Sequence, residues 1–309
     1  MNKLDTAVIA GASGYIGRHL KAALESRGVV VRTIGRSGSS DAAWSDPAGI
    51  VALLEGVDLL VNLAGRSVSC RYSRRNADEI LRSRTETTAA LASALAATSS
   101  PPSLWVNAST GTIYRDARDR PMDELDGELG SGFSVEVARA WERELEAAPA
   151  AVRTVALRMT IVLGAGGGAV NPFINLARLG LGGRMGDGDQ KFSWVHVDDV
   201  ARAIVHLHDH TEISGPVNLA APEVVTNAEL MESVRAAMGR PTGLPEPRWL
   251  LEAGARIIRT EAELVLKSRW VDSRVLRESG FEFEHADLDG ALAQIAGVTR
   301  RGLLPVALG

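Results

Sequence analysis

The chain holds a single cysteine, Cys70, among 309 residues. One thiol cannot staple a fold, so stability must come from packing, and a reducing compartment is expected. No apolar run is long enough to span a bilayer, and Met1 to Thr6 lead into a strand pattern without the basic-then-apolar order of a signal segment. The expectation is a soluble, cytoplasmic protein with no membrane partner. Basic stripes are missing too, and the formal net charge of −4 argues against nucleic acid as a partner. Neither an internal repeat nor a low-complexity tail interrupts the chain. What is present is apolar: 45% of residues are hydrophobic and 23% charged, which suits a large core and excludes global disorder. The length suits a large lobe with a smaller one beside it.

Short apolar runs alternate with helical periods. Thr6–Ala10 predicts a buried strand, Tyr15–Arg27 a helix stopped at Gly28, Val29–Ile34 a second strand and Val57–Leu63 a third. A long helix over Ala77–Ala97 ends before Pro101 and Pro102, and strands at Leu104–Ala108 and Arg153–Met159 flank a helix over Val135–Ala147. This alternation predicts a parallel sheet covered on both faces. Beyond Leu163 the rhythm breaks into glycine-dense stretches, Gly164–Gly168 and Gly180–Gly188, which read as pocket loops. Asp198 is placed to cap a helix over Asp199–His208, and Val217–Leu219 reads as a sixth strand. Thr226 and Glu229 have capping-box spacing for a helix to Met238, and Phe281-Glu282-Phe283 reads as a late strand.

The segment Gly11-Ala12-Ser13-Gly14-Tyr15-Ile16-Gly17 spaces three glycines three apart, directly after a strand and at the start of a helix. The first glycine permits a tight turn, the second lets a pyrophosphate approach the backbone, and the third lets helix and strand pack closely. Free amides and the helix dipole then attract phosphate. No Asp or Glu occurs between Val29 and Ser40, where an NAD site usually carries an acid for the ribose 2′-hydroxyl. Arg36 stands there instead, with Ser37 beside it and Arg32 nearby. A guanidinium suits the 2′-phosphate of NADP, so NADP(H) is expected over NAD(H); the alternative is a solvated loop arginine.

These motifs join Asn62-Leu63-Ala64-Gly65, Ser83-Arg84, Leu157-Arg158, the glycines after Leu163, and the run through Gln190, Ser193, Trp194, His196, Asp198 and Asp199. Together with Gly215-Pro216-Val217-Asn218-Leu219 and the closing Ser279-Gly280-Phe281, they give nearly the whole chain a resemblance. It resembles the extended short-chain dehydrogenases/reductases, in particular the atypical, NAD-dependent epimerase-like branch that also carries a cell-division-inhibitor label. The resemblance implies an α/β fold: a Rossmann-type doubly wound parallel sheet with a smaller, mostly helical C-terminal substrate lobe. Residues 1–165, completed by about 190–222, would bind NADP(H), and 166–189 with 223–309 would form the lobe. Gly11 to Gly17 would hold the pyrophosphate, Arg36 the ribose phosphate, and Leu63, Ala64 and Gly65 the adenosine and ribose side. A homodimer through helices flanking the sheet is expected by fold analogy.

Typical members of that family carry a serine or threonine after the fourth strand, then a tyrosine and a lysine four residues apart on the next helix. Ser109-Thr110 supplies the first element, but Phe133 or Ser134 falls at the tyrosine place and Val137 or Ala138 at the lysine place. Neither offers a phenol or an ammonium, and Arg139 stays protonated. Ser109, Thr110 and Tyr114 are therefore the catalytic candidates, and Gln190, Ser193, Trp194 and His196 the substrate-pocket candidates. Alternating His206, His208 and His210 lie at a helix end, where they share no face, so no metal is expected. The expectation is an oxidoreductase or nucleotide-sugar-epimerase-like enzyme acting on a small molecule. The alternative is a non-catalytic NADP(H) sensor or regulator.

Overall fold

The computed structural model describes residues 3–36, 38–249, 251 and 266–305. The described strands are β1 (Thr6–Ala10), β2 (Val30–Gly35), β3 (Ala42–Ala43), β4 (Leu59–Asn62), β5 (Leu104–Thr110), β6 (Arg153–Met159), β7 (Ile161–Leu163), β8 (Lys191–Phe192), β9 (Trp194–His196), β10 (Gly215–Leu219) and β11 (Val225–Thr226). The described helices are α1 (Tyr15–Glu25), α2 (Pro47–Leu54), α3 (Arg74–Ala97), α4 (Phe133–Leu145), α5 (Val170–Arg178), α6 (Val197–Asp209), α7 (Asn227–Ala237), α8 (Arg274–Glu278) and α9 (Leu288–Val298). Seven strands form one sheet in the order β10-β6-β5-β4-β1-β2-β3, with every pairing parallel. This is the doubly wound Rossmann-type arrangement.

The period of two sorts side chains between the faces. Ala7, Ile9, Leu59, Val61, Leu104 and Val106 meet α1 and α6 in one core. Val8, Ala10, Leu60 and Trp105 meet α2 and α3 in the other. Both faces are dry, as crossover helices on a parallel sheet require. A third core joins α5, α7 and α9 through Phe173, Ile174, Leu230, Val234 and Ile295, with Trp194 at its sheet-facing side. The smaller lobe is thus mostly helical, stitched by the short pairs β7–β9 and β8–β11.

Two local expectations are corrected. Helix α6 is capped by His196, whose Nδ1 accepts the Asp198 amide at 3.3 Å, so the helix starts at Val197 and Asp198 lies within its first turn. Phe281 to Phe283 is not a strand. The two rings pack edge-on at 4.8 Å, and the amides that follow, of Glu284 and His285, are taken by the buried Asp199 carboxylate at 2.9 and 3.0 Å. That carboxylate replaces a strand partner.

Candidate cofactor and substrate site

The turn after β1 is built around two glycines that cannot change. Gly11 has φ +84°, and a Cβ there would lie 2.8 Å from the Ala64 nitrogen. A Cβ on Gly17 would lie 2.4 Å from the Gly11 carbonyl oxygen. Both obstacles are backbone, so β1, the turn after β4 and α1 interlock without side chains between them. Gly14 is the N-cap of α1, with no side-chain cap and no acid in the first turn. The positive end of the helix dipole is left for an external anion. Ser13 is exposed at this end and its carbonyl accepts Arg18 Nη1 at 2.6 Å, while Ala12 and Ile16 pack onto the sheet core.

Tyr15 covers this turn from the side of the first pocket loop. Cβ atoms on Gly167 and Gly168 would fall 2.6 and 2.9 Å from its ring, so the glycines of Gly164–Gly168 let the loop lie on the phenol. The Tyr15 hydroxyl is buried without a partner among the described residues, and burial, reinforced by the nearby Asp198 charge, pushes its pKa up. It stays a neutral packing group.

Beyond β2, Arg36 is exposed, and Ser37 lies outside the described residues. The nearest following acid, Asp41, is turned back onto β2, accepting the Thr33 amide at 2.7 Å and its hydroxyl at 2.8 Å. Those bonds hold the Asp41 carboxyl below its usual range despite some burial. Arg36 thus has no hydrogen-bond or ion-pair partner among the described residues, while Asp41 is already engaged. These residues fit a phosphorylated dinucleotide.

The Leu63-Ala64-Gly65 turn is levelled by a buried network. Asn62 accepts the Ala64 amide at 3.1 Å and donates to Asn107 at 2.7 Å and Thr88 at 3.2 Å; Trp141 Nε1 donates to Thr88 at 3.0 Å. Asn107, Thr88 and Trp141 were not anticipated as site residues. They come from three other elements, and no local spacing relates them.

Ser109 and Tyr114 are brought together, but both are buried and engaged. Ser109 Oγ donates to Glu142 at 2.6 Å, and Arg158 grips the same carboxylate through two bonds of 2.8 and 2.7 Å. Arg158 Nη1 also donates to the Tyr114 hydroxyl at 2.9 Å, which in turn donates to Asn218 at 2.9 Å. Burial raises the Tyr114 pKa, against the pull of Arg158. Thr110 is half-buried at the strand end, where its Oγ1 accepts the Thr112 amide at 3.1 Å. On α4, Phe133 packs against Tyr72 with ring centroids 4.8 Å apart, and Val137 and Ala138 are buried.

On the substrate side, Ser193 is fully buried and binds the backbone of Arg269 and Val271, tying β8 and β9 to the segment before α8. Gln190 Nε2 donates to the Met185 carbonyl at 2.9 Å. Trp194 is wholly buried in the lobe core, its indole N–H without a partner among the described residues. Lys267 and Arg269 approach the Thr112 carbonyl and hydroxyl at 2.8 and 3.1 Å, so a basic segment that the motifs did not single out closes over the end of β5. His196 points elsewhere: its ring lies tilted at 43° to that of His285 with centroids 3.8 Å apart, and one ligand atom each from His196, Asp198 and His285 lie within 4.8 Å of one another. Among the described residues no helix is long and apolar enough to cross a membrane.

Residues 7–220 match the model of the NAD dependent epimerase/dehydratase family, and residues 247–295 match a domain of unknown function, DUF1731. The chain belongs to the NAD dependent epimerase/dehydratase family. It falls in the atypical epimerase-like branch of the extended short-chain dehydrogenases/reductases. The "Epimerase family protein SDR39U1" of Bos taurus is 32% identical over 293 residues, covering 93% of this chain and 98% of that protein. "Epimerase family protein ML0860" of Mycobacterium leprae is 33% identical over 292 residues, covering 92% and 94%. A crystal structure of human SDR39U1 with NADPH superposes with TM-score 0.87 at 31% identity, covering 95% of this chain and 99% of that one. A nucleoside-diphosphate sugar epimerase from Corynebacterium glutamicum gives 0.75 at 28% identity, covering 96% of this chain and 59% of that one.

Proposed function

We propose that this member of the family binds NADP(H) and acts as an oxidoreductase or epimerase on a small polar molecule, without the tyrosine–lysine pair. The observation that carries the cofactor reading is the pairing of an uncapped α1 N-terminus in a glycine cradle with an exposed Arg36 and no competing acid. The human relative crystallised with NADPH supports it. When bound, the nicotinamide supplies or accepts a hydride. The chain orients it: Gly11 to Gly17 take the pyrophosphate, Arg36 the 2′-phosphate, and Leu63 to Gly65 the sugar beside them. The substrate lies between the carboxyl edge of the sheet and the lobe formed by 166–189 and 223–309, near Lys267 and Arg269. Thr110, the least buried of the three hydroxyl candidates, meets the substrate oxygen, while Ser109 and Tyr114 hold the strand end in place.

A second reading, a non-catalytic NADP(H) sensor, is favoured by the buried, engaged state of Ser109 and Tyr114 and by the apolar Val137 and Ala138. Calorimetric titration with NADPH, NADP⁺, NADH and NAD⁺ tests the cofactor. Binding confined to the phosphorylated pair, and lost in Arg36→Ala, is expected. Equal affinity for NADH and NADPH would sink the reading. A screen for substrate-dependent NADPH oxidation separates enzyme from sensor: turnover that Thr110→Val abolishes favours the enzyme.

A further inference from the structure

Of the six histidines in the chain, the fold sets two beside one carboxylate at the start of α6. His196 caps the helix from the end of β9, with its side chain 2% exposed. Asp198 lies in the first turn, half exposed, and His285 comes from the segment that leads into α9. Asp198 Oδ2 stands 3.4 Å from His196 Nδ1 and 3.7 Å from His285 Nε2. Both separations are long for hydrogen bonds. They suit ligands around a metal: with bonds of about 2.0–2.1 Å, tetrahedral geometry sets ligand atoms about 3.4 Å apart. The nitrogens are also poorly used by the protein. Nε2 of His196 and Nε2 of His285 are both buried without a partner among the described residues, and His196 Nδ1 has the Asp198 amide only at 3.3 Å. A buried imidazole nitrogen left unpaired is costly, so these two rings point to a missing ligand.

The cluster is held in place by its surroundings. The fully buried Asp199 carboxylate takes the Glu284 and His285 amides at 2.9 and 3.0 Å, and Arg202 Nη2 donates to the Glu282 carbonyl at 2.8 Å. Helix α6 thus fixes the backbone that delivers the His285 ring. A simple ion pair does not use this arrangement well. Ring centroids 3.8 Å apart would set two imidazolium charges against each other over a single carboxylate. A divalent ion instead takes a lone pair from each neutral ring, and the carboxylate offsets its charge. The alternating histidines do not compete for that role: His206 Nε2 lies 2.8 Å from Ser279 Oγ, and His210 Nδ1 lies 2.9 Å from the His206 carbonyl oxygen. We propose that His196, Asp198 and His285 bind one divalent transition-metal ion of the zinc class, with water in the fourth position on the exposed side of Asp198. The ion clips the segment before α9 to the start of α6. The positive end of the α6 dipole opposes it, so its affinity is lower than that of a closed four-ligand site.

The inference does not rest on the NADP(H) reading. Tag-free wild type, Asp198→Asn, His285→Gln and His210→Gln are stripped with a chelator and titrated with Zn²⁺ by calorimetry. Co²⁺ titration, read by its visible absorption, reports coordination geometry. One Zn²⁺ per chain and a tetrahedral Co²⁺ spectrum are expected for the wild type. At free Zn²⁺ of about a hundred times Kd, Tm should rise by roughly 5 °C. Asp198→Asn and His285→Gln replace partly exposed ligands that cap no helix, and each should weaken Zn²⁺ by about tenfold or more, the least that is lost when a residue that merely orients a ligand is removed. His210→Gln should stay within about twofold of wild type. Mg²⁺, which favours oxygen donors, should not bind. A wild type that takes up no Zn²⁺ overturns the proposal. So does Zn²⁺ binding that survives both Asp198→Asn and His285→Gln, binding that falls as far in His210→Gln, or Mg²⁺ binding as tight as that of Zn²⁺.

Discussion

The Glu142–Arg158 pair lets the candidate site be tested as a piece of structure. Arg158 forms a two-pronged bridge of 2.8 and 2.7 Å to Glu142, and the side chains are only 9% and 18% exposed. Ser109 and Tyr114 complete the unit. Glu142→Gln keeps the volume but removes the charge and one acceptor, leaving Arg158 buried beside a neutral amide. Breaking one side of such a pair costs about 3–5 kcal/mol. For a chain of this size, where each kcal/mol moves the midpoint by roughly 2 °C, the expected fall in Tm is roughly 6–10 °C. Arg158→Met should cost a similar amount. The double variant Glu142→Gln/Arg158→Met should cost less than the sum, because no charge is then stranded, with a coupling of at least about 2 kcal/mol. Differential scanning fluorimetry and denaturant titration of all four proteins close the cycle. Additive single losses, or single losses below about 1 kcal/mol, would refute the picture of one charged unit holding Ser109 and Tyr114.

Gly17→Ala places a methyl 2.4 Å from a carbonyl oxygen, so α1 must lift from β1. A destabilisation of about 1–3 kcal/mol is expected together with loss of NADPH binding by calorimetry, and a variant that binds normally would contradict the interlocked cradle. Tyr114→Phe strands the Asn218 oxygen and an Arg158 donor, and a loss of about 1–3 kcal/mol in denaturant titration is expected. Glu246 is buried with no partner for its Oε1 among the described residues, and burial raises its pKa from 4.5 to about 7. Between those values the folded chain binds the extra proton, so this group makes stability fall as pH rises through about 5 to 7. Glu246→Gln should flatten that stretch of the Tm–pH curve and melt higher than wild type at pH 8; an unchanged slope would remove Glu246 as its source.

Local chemistry was legible wherever neighbours in sequence decide the outcome. β1 and β6 occupy Thr6–Ala10 and Arg153–Met159, the bounds their apolar runs imply, and Thr226 and Glu229 form the capping box their spacing promises. Helix α2 was readable and overlooked: Asp46 accepts the Gly49 amide at 3.0 Å and Pro47 opens the helix, a cap-and-proline signal. Helix α5 carries no such mark, since Ala169 caps it without a side-chain bond.

By itself the sequence determined the parallel α/β sheet, the glycine cradle and the missing acid beyond β2, because each depends on periodicity or on backbone sterics within a few residues. It also determined that α4 offers neither phenol nor ammonium at Phe133, Ser134, Val137 or Ala138. Only the tertiary structure decided which polar groups are spent. Ser109 and Tyr114 look available in the chain and are locked by Glu142, Arg158 and Asn218, which reach them across 33 to 104 residues of sequence. Arg84 looks like one more arginine in a basic run, yet the fold sets it between Gly65 and Trp141, with no acid paired to it among the described residues. The physical reason is the same in both cases: a side chain's charge and hydrogen-bonding capacity are satisfied by whatever the fold brings within about 3 Å, and distance along the chain does not set that.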